Sequence, residues 1–130
     1  MYVPPGFATV NPYIFASDAK SYVQFLVDGL GAEELGRSER PDGRIANCQI
    51  RIGTAMLMVS EAQDKYPPSR AAFYIYVEDA EAAMARALAV GARLEMPVDN
   101  MPYGDRQGGV VDPSGNIWWI SQRTTEEPYF

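Results

Sequence analysis

The chain has 130 residues, of which 47% are hydrophobic and 22% charged, with a net charge of −6. That length suits one soluble domain burying roughly 68% of its unfolded surface, and the acidic balance disfavours nucleic acid and anionic membranes, which would repel it. There is no histidine, so Ser-His-Asp, Cys-His and His-metal chemistry are excluded.

The single Cys48 cannot form an internal disulfide and, between Ala46 and Ile50, reads as a small core residue. No apolar run approaches the roughly 18 residues of a membrane span. Met1-Tyr2-Val3-Pro4-Pro5-Gly6 lacks the basic-then-apolar pattern of a signal peptide. A cytoplasmic protein with no membrane association is expected.

Thr9 to Ala16 alternates and is rich in aromatic and β-branched residues, so it is predicted to be a strand. Ser17 and Asp18 offer N-cap oxygens to a helix whose Tyr22, Val23, Phe25, Leu26 and Leu30 form one apolar stripe. Gly31 ends it, because glycine tolerates the left-handed conformation of a C-cap. Strands follow at Glu33–Ser38, Ile45–Ile52 and Thr54–Val59, with turns at Arg40-Pro41-Asp42-Gly43 and Ile52-Gly53-Thr54. The polar stretch Glu61–Arg70, with its Pro-Pro pair, reads as a mobile linker.

The order then restarts. Ala72–Val77 is predicted as a strand, Asp79 caps a helix through Val90, and Gly91 stops it. Arg93–Pro97 is a short strand, followed by a long loop from Val98 to Arg106. Gly108–Val111 and Ile117–Ser121 supply two more strands around the turn Asp112-Pro113-Ser114-Gly115. Thr124–Phe130 is a polar tail, either frayed or packed on a partner.

The two halves match. Asp18-Ala19 corresponds to Asp79-Ala80, Gly31-Ala32 to Gly91-Ala92, and Gly53 to Gly115, at offsets of 61, 60 and 62 residues. The expected class is α+β, with two βαβββ modules forming a curled mixed sheet around a cleft. Module 1 spans about 6–60, a linker 61–71, module 2 about 72–122 and the tail 123–130, all in one domain.

This order, the helices ending in Gly-Ala, and Tyr103-Gly104-Asp105-Arg106 leading into Asp112-Pro113-Ser114-Gly115-Asn116-Ile117-Trp118 resemble the vicinal oxygen chelate superfamily. That superfamily groups glyoxalase I, extradiol dioxygenases, fosfomycin-resistance enzymes and bleomycin-resistance proteins, and the chain is similar to its PhnB-like branch. The resemblance covers about Gly6 to Gln122. Its metalloenzymes hold a divalent ion on the first and last strands of each module, which implies Asn11, about Phe73, Leu57 and Trp119 here. Asn47 and Asn116 stand where PhnB-like relatives commonly carry histidine. An amide, two apolar rings and an aliphatic side chain do not make a metal shell, so neither metal nor cofactor is expected.

Alternate residues of a strand share a face. Asn11 therefore brings Tyr13 and Phe15 to the cavity, Phe73 brings Ile75, Leu57 brings Val59, and Trp119 brings Ile117. Asn47, Gln49 and Arg51 form the polar set of their strand, with Cys48, Ile50 and Ile52 under a helix. Trp118, Ile120, Met56 and Met58 are expected to face a helix. Tyr103 and Arg106 stand in a loop at the cavity mouth, where Arg106 pairs either with a ligand carboxylate or with Asp105 or a glutamate. The ligand-binding set is then Asn11, Tyr13, Phe15, Asn47, Gln49, Leu57, Phe73, Tyr103, Arg106 and Trp119.

Three functions remain open. The first is a metal-free binder of a small aromatic or cationic molecule, resembling the bleomycin-resistance proteins, which implies a homodimer and antibiotic resistance. The second is an enzyme of lyase or dioxygenase type with a relocated site, drawing acid/base groups from Asp105, Glu61 and Tyr103. The third is a structural dimer whose pocket Phe73, Leu57 and Trp119 have filled.

Overall fold

The computed structural model describes all 130 residues. They form two compact units, Met1–Ser69 and Arg70–Phe130. Each is one β-α-β-β-β module with a four-stranded mixed sheet, so the α+β class and its repeat are observed. No helix is long and apolar enough to cross a membrane.

Unit 1 holds β1 (Tyr13–Ala16), α1 (Ala19–Leu30), β2 (Glu33–Glu39), β3 (Ile45–Ile52) and β4 (Ala55–Glu61). The strand order is β1-β4-β3-β2, parallel between β1 and β4 and antiparallel elsewhere. Helix α1 buries Tyr22, Val23, Phe25 and Leu26, the stripe that its three- and four-residue spacing defines. These pack on one sheet face, where Ile14, Ala16, Ile45, Cys48, Ile50, Leu57 and Val59 are all buried. Burying one such aliphatic side chain contributes roughly 1.5–3 kcal/mol. Asp18 caps the helix from a left-handed conformation (φ 53°), accepting from the Ser21 amide, and Gly31 (φ 72°) closes the other end.

Unit 2 holds β5 (Ala72–Tyr76), α2 (Ala80–Ala89), β6 (Arg93–Asn100), β7 (Asp105–Val111) and β8 (Ile117–Arg123) in the order β5-β8-β7-β6. Helix α2 is alanine-rich and buries only Ala80, Met84 and Ala87. It lies close to the sheet because β7 offers glycine beneath it: a Cβ on Gly108 would stand 3.0 Å from the Met84 sulfur.

Several stretches differ from expectation, among them β4, which runs on to Glu61, and β8, which runs on to Arg123. Strand β1 begins at Tyr13 rather than Thr9, because Asn11 closes a local loop on Ala8 and the Pro12 carbonyl opens the ladder by accepting from Met58. The loop expected over Val98–Arg106 shrinks to residues 101–104. Pairing of Asp99 with Gln107 and of Asn100 with Arg106 extends both strands, and Pro97 is tolerated because β6 is an edge. The segment after Glu61 is tied to β1, since the Ser69 amide donates to the Phe15 carbonyl and the Phe15 amide to the Ser69 hydroxyl, both at 3.0 Å.

Candidate functional site

Each sheet has one face under its helix and one face without a helix, and the pairing registers assign every strand residue to a side. In unit 1, Tyr13 stands opposite Met58, which stands opposite Gln49. Asn47 donates to the Tyr13 hydroxyl at 3.3 Å. The helix-free face therefore carries Tyr13, Phe15, Asn47, Gln49, Met58 and Ser60. Tyr13 and Phe15 rings lie 5.1 Å apart, and Phe15 stacks on Tyr66 at 5.4 Å and 24°. These three rings, with Arg40, Ala46, Ser60, Glu61 and Gln63, line a groove of about 370 Å³.

In unit 2 the helix-free face centres on a buried carboxylate. Asp105 is 1% exposed. Its Oδ2 accepts from the hydroxyls of Tyr74 and, at 2.7 Å, Tyr129. Its Oδ1 accepts from Arg123 Nη1 at 2.9 Å. Burial alone would raise this carboxyl, but the two phenols and the guanidinium outweigh it and hold Asp105 below the ordinary carboxylate range. Burial first, and the Asp105 bond second, push the Tyr74 phenol up to about 12. Across the same face Trp119 lies flat on Gly109, where a Cβ would stand 2.6 Å from the indole. Tyr103 donates to the Gln107 side chain beside it.

Several residues expected at the site stand elsewhere. Leu57 lies opposite Ile50 on the α1 side, and Met58 takes the helix-free position. Phe73 packs on Trp118, 4.6 Å between centroids, on the α2 side, so Tyr74 and Tyr76 rather than Phe73 and Ile75 share a face with Trp119. Asn11 spends its amide on Ala8. Arg106 belongs to β7 and turns toward α2, where it pairs with Glu81 and Asn100. Met56 and Met58, expected under a helix, fall on the helix-free side.

The groups named for acid/base work are committed to other bonds. Glu61 accepts from the Asp18 and Ala19 amides, both at 2.9 Å, at the start of α1. Asp105 is fixed as an ionised acceptor and the Tyr103 hydroxyl serves Gln107. Burial pushes the Cys48 thiol up to about 11, which leaves little nucleophile at neutral pH. Asn116 holds the turn before β8, accepting from the Ala71 amide at 2.8 Å and donating to Asp112. Asp112 also accepts from Trp118 Nε1 at 2.8 Å.

Among known proteins, the family model described as the Glyoxalase/Bleomycin resistance protein/Dioxygenase superfamily matches residues 7–120. The chain belongs to that superfamily. A Mycobacterium bovis relative, itself uncharacterised, is 30% identical over 90% of this chain and 84% of its own length. The fold is similar to that of TioX from Micromonospora sp. ML1 (TM-score 0.72, 23% identity, 93% of this chain and 100% of that one). It is also similar to TnmS3, an antibiotic-binding protein from Streptomyces sp. CB03234 (TM-score 0.71, 24% identity, 95% and 98%).

The divalent ion of this superfamily's metalloenzymes does not suit the residues present. No three His, Cys, Asp or Glu side chains converge anywhere in the chain. The paired strand positions on the helix-free faces are Tyr13 with Met58 and Tyr74 with Trp119, none of which supplies the anionic or imidazole donors that such an ion needs.

Tyr66, Tyr74, Tyr76 and Tyr129 are the site aromatics that sequence reasoning missed. Tyr74 and Tyr76 carried a usable signal, standing 61 residues after Tyr13 and Phe15, the same offset as Asp18 and Asp79. Tyr66 and Tyr129 lie in aperiodic segments and carried none.

Proposed function

We propose that this chain binds a small organic molecule, aromatic or cationic, without a metal, on the helix-free face of its sheets in the manner of a bleomycin-resistance protein. The observation that supports this best is the Tyr13–Phe15–Tyr66 ladder along a groove of about 370 Å³. Offset aromatic rings offer a flat ligand stacking area at low entropic cost, and a groove of this size is in the range of small-molecule sites. The net charge of −6 draws cations. TnmS3, whose fold is similar, is an antibiotic-binding protein, which agrees with a small organic ligand.

Acridine orange, a planar cation, is the probe, with its emission followed as protein is titrated in. Binding that weakens about three- to tenfold in Tyr66→Ala, from the loss of one stacking partner, supports the reading. No binding, or equal binding to wild type and variant, overturns it.

A further inference from the structure

We infer that Asp105, Tyr76 and Arg123 form a phenol-binding site that the chain fills with its own Tyr129. Each part of a phenol has its partner there. The Tyr129 hydroxyl donates to Asp105 Oδ2 at 2.7 Å. Having given its one proton, it accepts from the Tyr76 hydroxyl, also at 2.7 Å. The ring lies under the Arg123 guanidinium, 4.0 Å from centroid to Cζ, an arrangement in which the cation attracts the π face. The Tyr103 ring closes one side at 6.4 Å.

The receptor side chains stand on strands, and only one of the contacts that hold them comes from the occupant's own segment, the Glu127 carbonyl on Arg123. Arg123 is held from three directions, by Asp105 Oδ1 at 2.9 Å and by the carbonyls of Tyr103 and Glu127, each at 2.6 Å. Tyr76, Asp105 and Arg123 belong to three strands of one sheet. Tyr129 arrives instead on the segment 124–130, which belongs to no strand or helix and is anchored at its root by Thr124 on the Gly104 carbonyl. Tyr129 is also 44% exposed, so it leaves the site at small cost in buried area.

When Tyr129 leaves, Asp105 Oδ2 loses one of its two donors in a buried position. Tyr74 still serves Oδ2 and Arg123 still serves Oδ1, but one acceptor position of a charged group is left open, and a hydroxyl on an aromatic ring restores both the hydrogen bond and the contact with Arg123. An ether or a plain arene restores only the second. The segment thus acts as a strap that phenolic ligands displace. This deepens the proposed ligand-binding role by naming the group that unit 2 reads.

The experiment titrates p-cresol and 4-methylanisole into the 130-residue wild-type chain and Tyr129→Ala, followed by NMR shifts of the Gly104 amide and the Arg123 side chain. Cresol binding at least tenfold tighter in Tyr129→Ala than in wild type, with 4-methylanisole at least tenfold weaker than cresol in that variant, is the expected result. Equal cresol affinity in both chains, or equal affinity for the two ligands, overturns the inference. Tyr129→Phe, which keeps the ring and loses only the hydroxyl, guards against misfolding; a gain of about threefold supports the strap and no gain overturns it. Acridine orange run on the same samples separates the two sites. Dye binding without cresol binding removes the phenol site alone, and the reverse removes the unit 1 groove alone.

Discussion

Glu61 and Gln122 do the same job in the two modules: each turns a side-chain oxygen onto the first backbone amide of its unit's helix. Glu61 Oε1 accepts from Ala19 at 2.9 Å and Gln122 Oε1 accepts from Ala80 at 3.0 Å. Both pairs stand 61 residues apart, which fixes the repeat at the ends of β4 and β8. Met58 is then the counterpart of Trp119, and Leu57 of Trp118.

Helix N-termini leave amides without intrahelical partners and favour negative charge. Glu61 satisfies two such amides with an ionised group, while Gln122 satisfies one with a neutral group. Glu61→Ala is expected to cost about 1–2 kcal/mol and Gln122→Ala about 1 kcal/mol or less. Urea unfolding of the three chains checks the order; a larger loss in Gln122→Ala contradicts it.

The Asp105 cluster makes stability fall at both ends of the pH scale. Asp105 has a lowered pKa in the folded state, so its contribution is present above an unfolded value near 3.9 and is lost as pH drops below it. Tyr74 is raised to about 12, so its contribution is full below an unfolded value near 10 and is lost between there and about 12. Melting temperatures from pH 2 to 12 are expected to show both declines. Tyr74→Phe is expected to flatten the alkaline one, and an unchanged alkaline arm in that variant contradicts the assignment.

Gly109 is the floor on which Trp119 lies. A methyl group there would meet the indole at 2.6 Å, so Gly109→Ala must lift the ring or shift the strand. A loss of about 1–3 kcal/mol is expected from such overpacking, with a shift in tryptophan emission. Wild-type stability with unchanged emission contradicts this packing.

Much of the fold was legible because its signals are local. The stripe of Tyr22, Val23, Phe25 and Leu26, the caps at Asp18 and Asp79, and the stop at Gly31 each follow from neighbours in sequence. The faces of the last strands were not legible, and the reason is turn length. Gly53 sits in the two-residue turn between Ile52 and Ala55, whereas Gly115 sits in the longer connection between Val111 and Ile117. Aligning the two glycines shifts β4 by one residue against β8, and one residue reverses every side chain in a strand. Asn47 with Gln49, and Tyr13 with Phe15, share a face in each case because their own strands alternate cleanly. Arg106 went astray with the expected loop, since only long-range pairing of Asn100 with Arg106 shows it to be in a strand facing α2.

Ligand binding without a metal is the central claim, and one titration addresses it most directly. Acridine orange affinity is measured on the 130-residue chain after exhaustive dialysis against EDTA and again with added zinc or manganese. The predicted result is the same dissociation constant within twofold in all three samples, because the groove of Tyr13, Phe15 and Tyr66 offers rings and no metal shell. Binding that vanishes with EDTA and returns tenfold or more with either ion would contradict it.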